Sequence, residues 1–202
     1  MRKINRINLD TWTQIELNEN RKYNLPWVKE KLREMQSYRW GILCCYCECE
    51  LKDNSYYDIE HVKPKKKFPS EKFVWNNLLL CCNRCNRSYK NDDYKNWFLN
   101  PSDTWYSFEE NFDFNEECFY LTKNSNAELT CDITKLNDKD KHSFKSRLKL
   151  TNKLQKKLEF YKKNVLSNDK IIEGLKMDLM LEWELESFWN WFLERLLRNL
   201  KN

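Results

Sequence analysis

Over the first forty positions, apolar side chains return at steps of three and four. Pro26 suits a first helical position, and Trp27, Val28, Leu32 and Met35 then form one apolar stripe that Gly41 interrupts. The rhythm changes after that. Tyr56-Tyr57-Asp58-Ile59-Glu60 is a short β-prone run, and the stretch from Val62 through Pro64 to Pro69 reads as loop, because proline cannot sit in a central strand. Leu78-Leu79-Leu80 follows, with a short helix expected from Asn86 to about Lys95, so a β-β-α finger fits the order. Further on, 105–108, 118–121 and 128–131 are strand candidates, with Asn124-Ser125-Asn126 as a turn. Beyond Leu136, Phe144, Leu148, Leu154, Leu158 and Tyr161 mark one long helix, and Ser167-Asn168-Asp169 offers a cap for a second. That last helix, chosen to run through Leu181, Trp183, Trp189, Trp191 and Leu197, has too much apolar surface for one stripe. It is either buried on two sides or covered by a partner. The expected class is α+β: an N-terminal helical segment (1–40), a motif-bearing core (41–100) and a mixed, then helical C-terminal region (101–202).

Composition narrows the class. At 202 residues and 41% hydrophobic content the chain can bury one substantial core. Residues 1–10 interleave charged and apolar positions instead of building a secretory apolar run, and no stretch approaches the roughly 18 apolar residues of a membrane span. The expected location is the cytoplasm, where thiols stay reduced. Nine cysteines are an odd number, and seven of them crowd into 44–49 and 81–85, which favours metal ligation over a disulfide framework. Cys44-x-x-Cys47 and Cys82-x-x-Cys85 have the spacing that folds backbone amides around one zinc ion. Such a site is closed, and its role is structural.

Charge is localised. Between His61 and Lys95 nine basic residues face three acidic ones, so this segment alone exceeds the whole-chain charge of +5. A basic patch of this kind attracts a polyanion such as nucleic acid. The sequence has two histidines. His142 sits among Lys139, Asp140 and Lys141 and carries no signal, whereas His61 lies in a Glu-His-x-x-Pro turn between the two cysteine pairs. Phosphodiester hydrolysis requires a base for water and a cation for the developing phosphate charge, and an imidazole beside a hard-metal site supplies both.

The run from Cys44 to Lys90, with "CCYC", "IEHVKP" and "WNNLLLCCNRCNRSYK", resembles the HNH endonuclease superfamily in its four-cysteine, zinc-stapled ββα-metal form. The resemblance implies that His61 is the general base, that Asn77 orients the loop bearing it, and that Asn86 binds a catalytic Mg²⁺ or Mn²⁺ with Glu60 as second ligand. It implies that Cys44, Cys47, Cys82 and Cys85 hold the structural Zn²⁺. Lys63, Lys65, Lys66, Lys67, Arg84, Arg87 and Lys90 would then grip phosphates, which positions a substrate without reading its sequence. Two departures stand out. Where many members place a lysine three positions after the last signature residue, this chain has Tyr89 with Lys90 one later, and Glu60 replaces the commoner aspartate.

A narrower similarity extends through "FLNPSDTW" at 98–105 and "TCDITKLN" at 130–137 to the HNH subunits of Septu-type antiphage systems and related retron-linked operons. It implies a metal-dependent nuclease, with DNA the favoured substrate, serving bacterial defence beside an ABC or SMC-like ATPase and without a membrane. The competing readings are an RNA-cleaving effector and a non-catalytic zinc-ribbon adaptor that binds nucleic acid.

Overall fold

The computed structural model describes residues 1–19, 22–38, 41–52, 57–164, 167–180 and 186–201. Two helices, α1 (Thr11–Glu19) and α2 (Pro26–Gln36), open the chain, and two short strands, β1 (Ser37–Tyr38) and β2 (Gly41–Ile42), pair after them. The organising element is the antiparallel pair β3 (Tyr57–His61) and β4 (Leu78–Cys82), in register from Tyr57 opposite Cys82 to His61 opposite Leu78. Leu78, Leu79 and Leu80 are all buried, so β4 has core on both faces. A single π-helical turn, Arg84–Lys90, follows it.

Two polar side chains fix this pair. Gln36, fully buried at the end of α2, donates to the Leu43 and Leu80 carbonyls at 2.9 Å and accepts from the Leu80 amide at 2.6 Å. Its amide satisfies the outer edge of β4, where a further strand would otherwise be needed. Arg6 reaches the carbonyls of Trp75, Asn76 and Leu78 at 2.8–2.9 Å and the Ser102 hydroxyl at 2.9 Å. The N-terminal segment is thereby tied to the loop that enters β4. The Asn100-Pro101-Ser102-Asp103 motif is a local turn: Asn100 accepts from the Ser102 amide and hydroxyl and donates to Asp103.

The second half adds α3 (Phe108–Asn111), the antiparallel pair β5 (Phe112–Phe114) and β6 (Tyr120–Thr122), and four helices: α4 (Ser125–Thr134), α5 (His142–Lys163), α6 (Asn168–Met180) and α7 (Glu186–Lys201). Several sequence expectations are corrected here. The 105–108 run is not a strand, because Ser107 caps α3 by accepting from the Glu110 amide. The 128–131 run lies inside α4, which Asn124 caps by accepting from the Ala127 amide at 2.9 Å, so the expected turn is a helix start. Of 118–121 only the end is strand, and its partner β5 went unrecognised. The short helix ends at Lys90 instead of Lys95. The final helix is two, α6 and α7; Leu181, Trp183 and Leu185 fall outside the described residues. Trp189 is 5% exposed, and Phe188 stacks edge-on against Phe114 at 4.9 Å, so this face of α7 is core. One apolar cluster runs from Met1 to Leu196. Among the described residues no helix is long and apolar enough to cross a membrane.

Candidate active site and metal centre

The β3–β4 register puts His61 at one end of the pair and the Cys81-Cys82 run at the other. Asn77, one residue before β4 and 4% exposed, shapes the loop after His61. Its Oδ1 accepts from the Lys63 amide at 2.7 Å, and its Nδ2 donates to the Lys63 and Glu71 carbonyls at 3.0 Å. All its hydrogen-bonding capacity goes to backbone, which is how a short amide side chain fixes an irregular turn.

His61 faces an open cleft of about 530 Å³ that Glu60, Asn86, Arg87 and Asp58 also line. Its Nε2 lies 3.0 Å from the Lys72 carbonyl oxygen, and since a carbonyl can only accept, Nε2 carries the proton. The Nδ1 lone pair is therefore the basic one. Tyr23 packs edge-on to the imidazole with ring centroids 4.5 Å apart. Burial among apolar and cationic neighbours pushes the His61 pKa down to about 4, so the ring is neutral at physiological pH.

Glu60 and Lys90 form a buried pair beneath this cleft. Lys90 Nζ is 2.7 Å from Glu60 Oε1 and donates to the His61 carbonyl at 3.0 Å, while the Tyr46 hydroxyl donates to the same Oε1 at 3.0 Å. Both side chains are almost wholly excluded from solvent. Burial raises the Glu60 carboxyl above its usual range, and the Lys90 ammonium opposes the shift. Lys90 was expected at a phosphate, yet here its ammonium is committed to Glu60 and to the backbone of β3. The π-turn accounts for its offset: Asn91 N bonds Asn86 O at 2.5 Å, an i to i+5 closure that accommodates one residue more than an α-turn.

Of the other basic residues, Lys65, Lys66 and Arg87 line the cleft, and Lys63, Lys67 and Arg84 lie outside its wall. Lys65, Lys66, Lys67, Arg84 and Arg87 are exposed and Lys63 is half-buried. Arg87 makes a bidentate pair with Asp58 at 2.7 and 2.8 Å, Lys66 pairs with Asp92 at 2.5 Å, and Lys63 with Glu71 at 2.7 Å. Lys65 Nζ reaches the Tyr23 hydroxyl at 2.5 Å. Arg84 instead turns to the loop before α5, donating to Tyr89 and to the Asp140 carbonyl at 2.8 Å. Tyr23, Lys29 and Asp58 belong to the cleft wall but were not singled out from sequence. Tyr23 and Lys29 come from the N-terminal segment, where no motif spacing marks them.

At the far end of the pair the cysteines converge. The sulfurs of Cys44, Cys47, Cys49 and Cys82 all lie within 4.8 Å of one another, and those of Cys44, Cys81 and Cys85 form a second such group. Three of the four expected ligands thus gather with Cys49, and the fourth, Cys85, gathers with Cys44 and Cys81. Cys47–Cys82, at 3.8 Å, matches the edge of about 3.8 Å that a tetrahedron with Zn–S bonds of about 2.3 Å requires. Burial pushes the Cys44 thiol up, but hydrogen bonds from Cys45, Cys47, Cys49 and Cys81 outweigh it and leave its pKa well below the ordinary value. Soft sulfur donors at tetrahedral spacing fit zinc. The cleft, with its carboxylate and amide oxygens, fits a hard divalent ion.

A paired strand thus carries a loop-anchored histidine, with a short helix after it and cysteine clusters at its far end. Residues 44–92 match the family HNH endonuclease. This segment is an HNH endonuclease domain. The chain is 33% identical over 127 residues to a Septu protein PtuB of Bacillus thuringiensis, covering 61% of this chain and 46% of that protein. It is 38% identical over 84 residues to a Septu protein PtuB of Bacillus mycoides (strain KBAB4), covering 35% of this chain and 26% of that protein. The chain thus spans less than half the length of the curated relatives it matches. The HNH domain supplies His61, Asn77 and Asn86, whereas Tyr23 and Lys29 enter its cleft from outside the matched residues.

Proposed function

We propose that the chain is a metal-dependent HNH nuclease that hydrolyses phosphodiester bonds in DNA. The observation that carries this reading is the His61 tautomer: Nε2 is spent on the Lys72 carbonyl, Nδ1 keeps its lone pair, and the ring is neutral beside a cation-rimmed cleft. His61 Nδ1 takes the proton of the attacking water. Asn77 holds the loop that aims the ring. Asn86, with the remaining reach of the Glu60 carboxylate, holds the divalent ion. Bound there, Mg²⁺ or Mn²⁺ neutralises the charge that develops on the scissile phosphate. Lys65, Lys66, Lys67 and Arg87 receive neighbouring phosphates, Arg87 by exchanging Asp58 for a phosphate oxygen. The cysteine knuckle holds Zn²⁺ and keeps the β3–β4 pair in register.

The likeness to Septu proteins supports a role as the nuclease component of an antiphage system that works with an ABC or SMC-like ATPase. The decisive experiment incubates the protein and its His61→Ala variant with plasmid, single-stranded DNA and RNA, with Mg²⁺ or Mn²⁺, alone and with the cognate ATPase. Cleavage of DNA that His61→Ala abolishes while zinc content and binding persist supports the proposal. Cleavage confined to RNA changes the substrate, and binding without cleavage under every condition identifies an adaptor.

A further inference from the structure

Tyr23 lies outside the matched HNH segment, in the turn that leads to Pro26 and α2, yet its half-buried side chain lines the cleft beside His61. Side chains from the stretch after His61 hold it there. Lys65 Nζ donates to the Tyr23 hydroxyl at 2.5 Å and stands 4.7 Å from the centre of its ring, and Phe73 packs against it with ring centroids 6.5 Å apart. Against the imidazole itself, the Tyr23 ring sits at 4.5 Å with the two planes 88° apart, a favoured geometry for an aromatic pair.

The imidazole needs such a neighbour. Asn77 fixes the backbone of the loop, and the hydrogen bond from Nε2 to the Lys72 carbonyl holds the ring by one atom. The torsion that turns a histidine ring is broad and is not confined to staggered wells, so a ring held at one atom can still pivot. Pivoting would swing Nδ1, which keeps the free lone pair, off any fixed heading. A perpendicular aromatic ring at contact distance blocks that motion. We propose that Tyr23 is a positioning residue for the base: its ring locks the plane of the His61 imidazole and keeps Nδ1 on one heading. Lys65 and Phe73 in turn lock Tyr23, so the N-terminal segment completes a site that the HNH segment begins. This role rests on His61 acting as the base, as proposed above.

Tyr23→Leu, Tyr23→Phe and Tyr23→Met are compared with the wild type. Plasmid nicking with Mg²⁺ or Mn²⁺ gives kcat and KM, and zinc content and the unfolding midpoint check the fold. Nitrogen NMR of isotopically labelled histidine reads the tautomer of His61, with the exposed His142 as the other signal. The wild type should show the Nε2–H tautomer alone. Tyr23→Leu should show a mixture and lose about 10- to 100-fold in kcat at little-changed KM, because a misplacement of about 1 Å at a reacting group can cost about 100-fold. Tyr23→Phe, which keeps the ring, should retain the single tautomer and most of the wild-type kcat. Should Tyr23→Leu not fold, Tyr23→Met, flexible and without a flat ring, is expected to show the same loss. A Tyr23→Leu variant with kcat within about twofold of wild type, a single tautomer in that variant, or an equal loss in Tyr23→Phe would overturn the proposal. A wild type that cleaves no nucleic acid would instead overturn the nuclease reading, and the tautomer comparison would still decide whether Tyr23 fixes the imidazole.

Discussion

His61 titrates far from the ordinary imidazole because its surroundings are dry and cationic. With a folded pKa of about 4 against an unfolded value of about 6.5, the native state binds the proton less readily than the unfolded chain. This contribution to stability is complete above pH 6.5 and declines as pH falls toward 4. If His61 is the base, as proposed, it stays unprotonated over the same range, so the acid limb of kcat/KM is expected near pH 4, and a rate profile already halved at pH 6.5 would contradict that role. Lys90→Met strands the Glu60 carboxylate in the interior, and removing one member of such a pair costs about 3–5 kcal/mol, measurable by denaturant unfolding at neutral pH. Cys49→Ser and Cys85→Ser divide the fourth ligand position between them: the one that is a ligand loses zinc, and the other retains it. The sequence made the two C-x-x-C pairs visible through their spacing. Cys49 has no such spacing, and only the folded knuckle brings its sulfur to 3.3 Å from that of Cys47.

Among the elements, the ββα finger was legible because local signals agree: a β-prone run before Pro64, three consecutive leucines, then a polar helical stretch. The Lys90 offset was visible as a departure from the family spacing, but its resolution by a π-helical turn was not, since i to i+5 closure leaves no mark on apolar periodicity. The strand expected at 128–131 failed for a different reason. Glu128-Leu129-Thr130-Cys131 alternates as a strand does, and the deciding signal was the Asn124 cap that a turn assignment had absorbed. Asn77→Ala tests how far one side chain sets the loop after His61. Losing its buried bonds to Lys63 and Glu71 should cost about 1–3 kcal/mol of stability and lower cleavage without altering zinc content, read by unfolding and by plasmid nicking.

On the scale of the whole molecule, the cysteine cluster and the core are built into one another. The sulfur cluster lies among the buried residues of a single apolar cluster, and Glu48, inside the first knuckle, bonds the Ser187 amide at the start of α7 at 2.8 Å. Chelation of the metal should therefore loosen far more than the finger. Several kcal/mol of folding free energy ride on a structural zinc, which for a chain of this size amounts to a melting shift on the order of 10 °C in calorimetry. Packing of this kind was beyond the sequence, which showed the aromatic surplus of the last helix without deciding what covers it. Phe114 packs against both Phe188 and Trp191, Trp189 is buried, and Trp191 keeps partial exposure.

The amide of Gln36 closes the outer flank of β4, and Cys45 adds a further bond from its own nitrogen to the Leu80 carbonyl at 3.1 Å. At Leu80 both backbone groups on that border are occupied. A neighbour that recruits this molecule by extending its sheet finds the berth taken at Leu80, and the β4 edge of the hairpin is thereby guarded against the edge-to-edge stacking that drives aggregation.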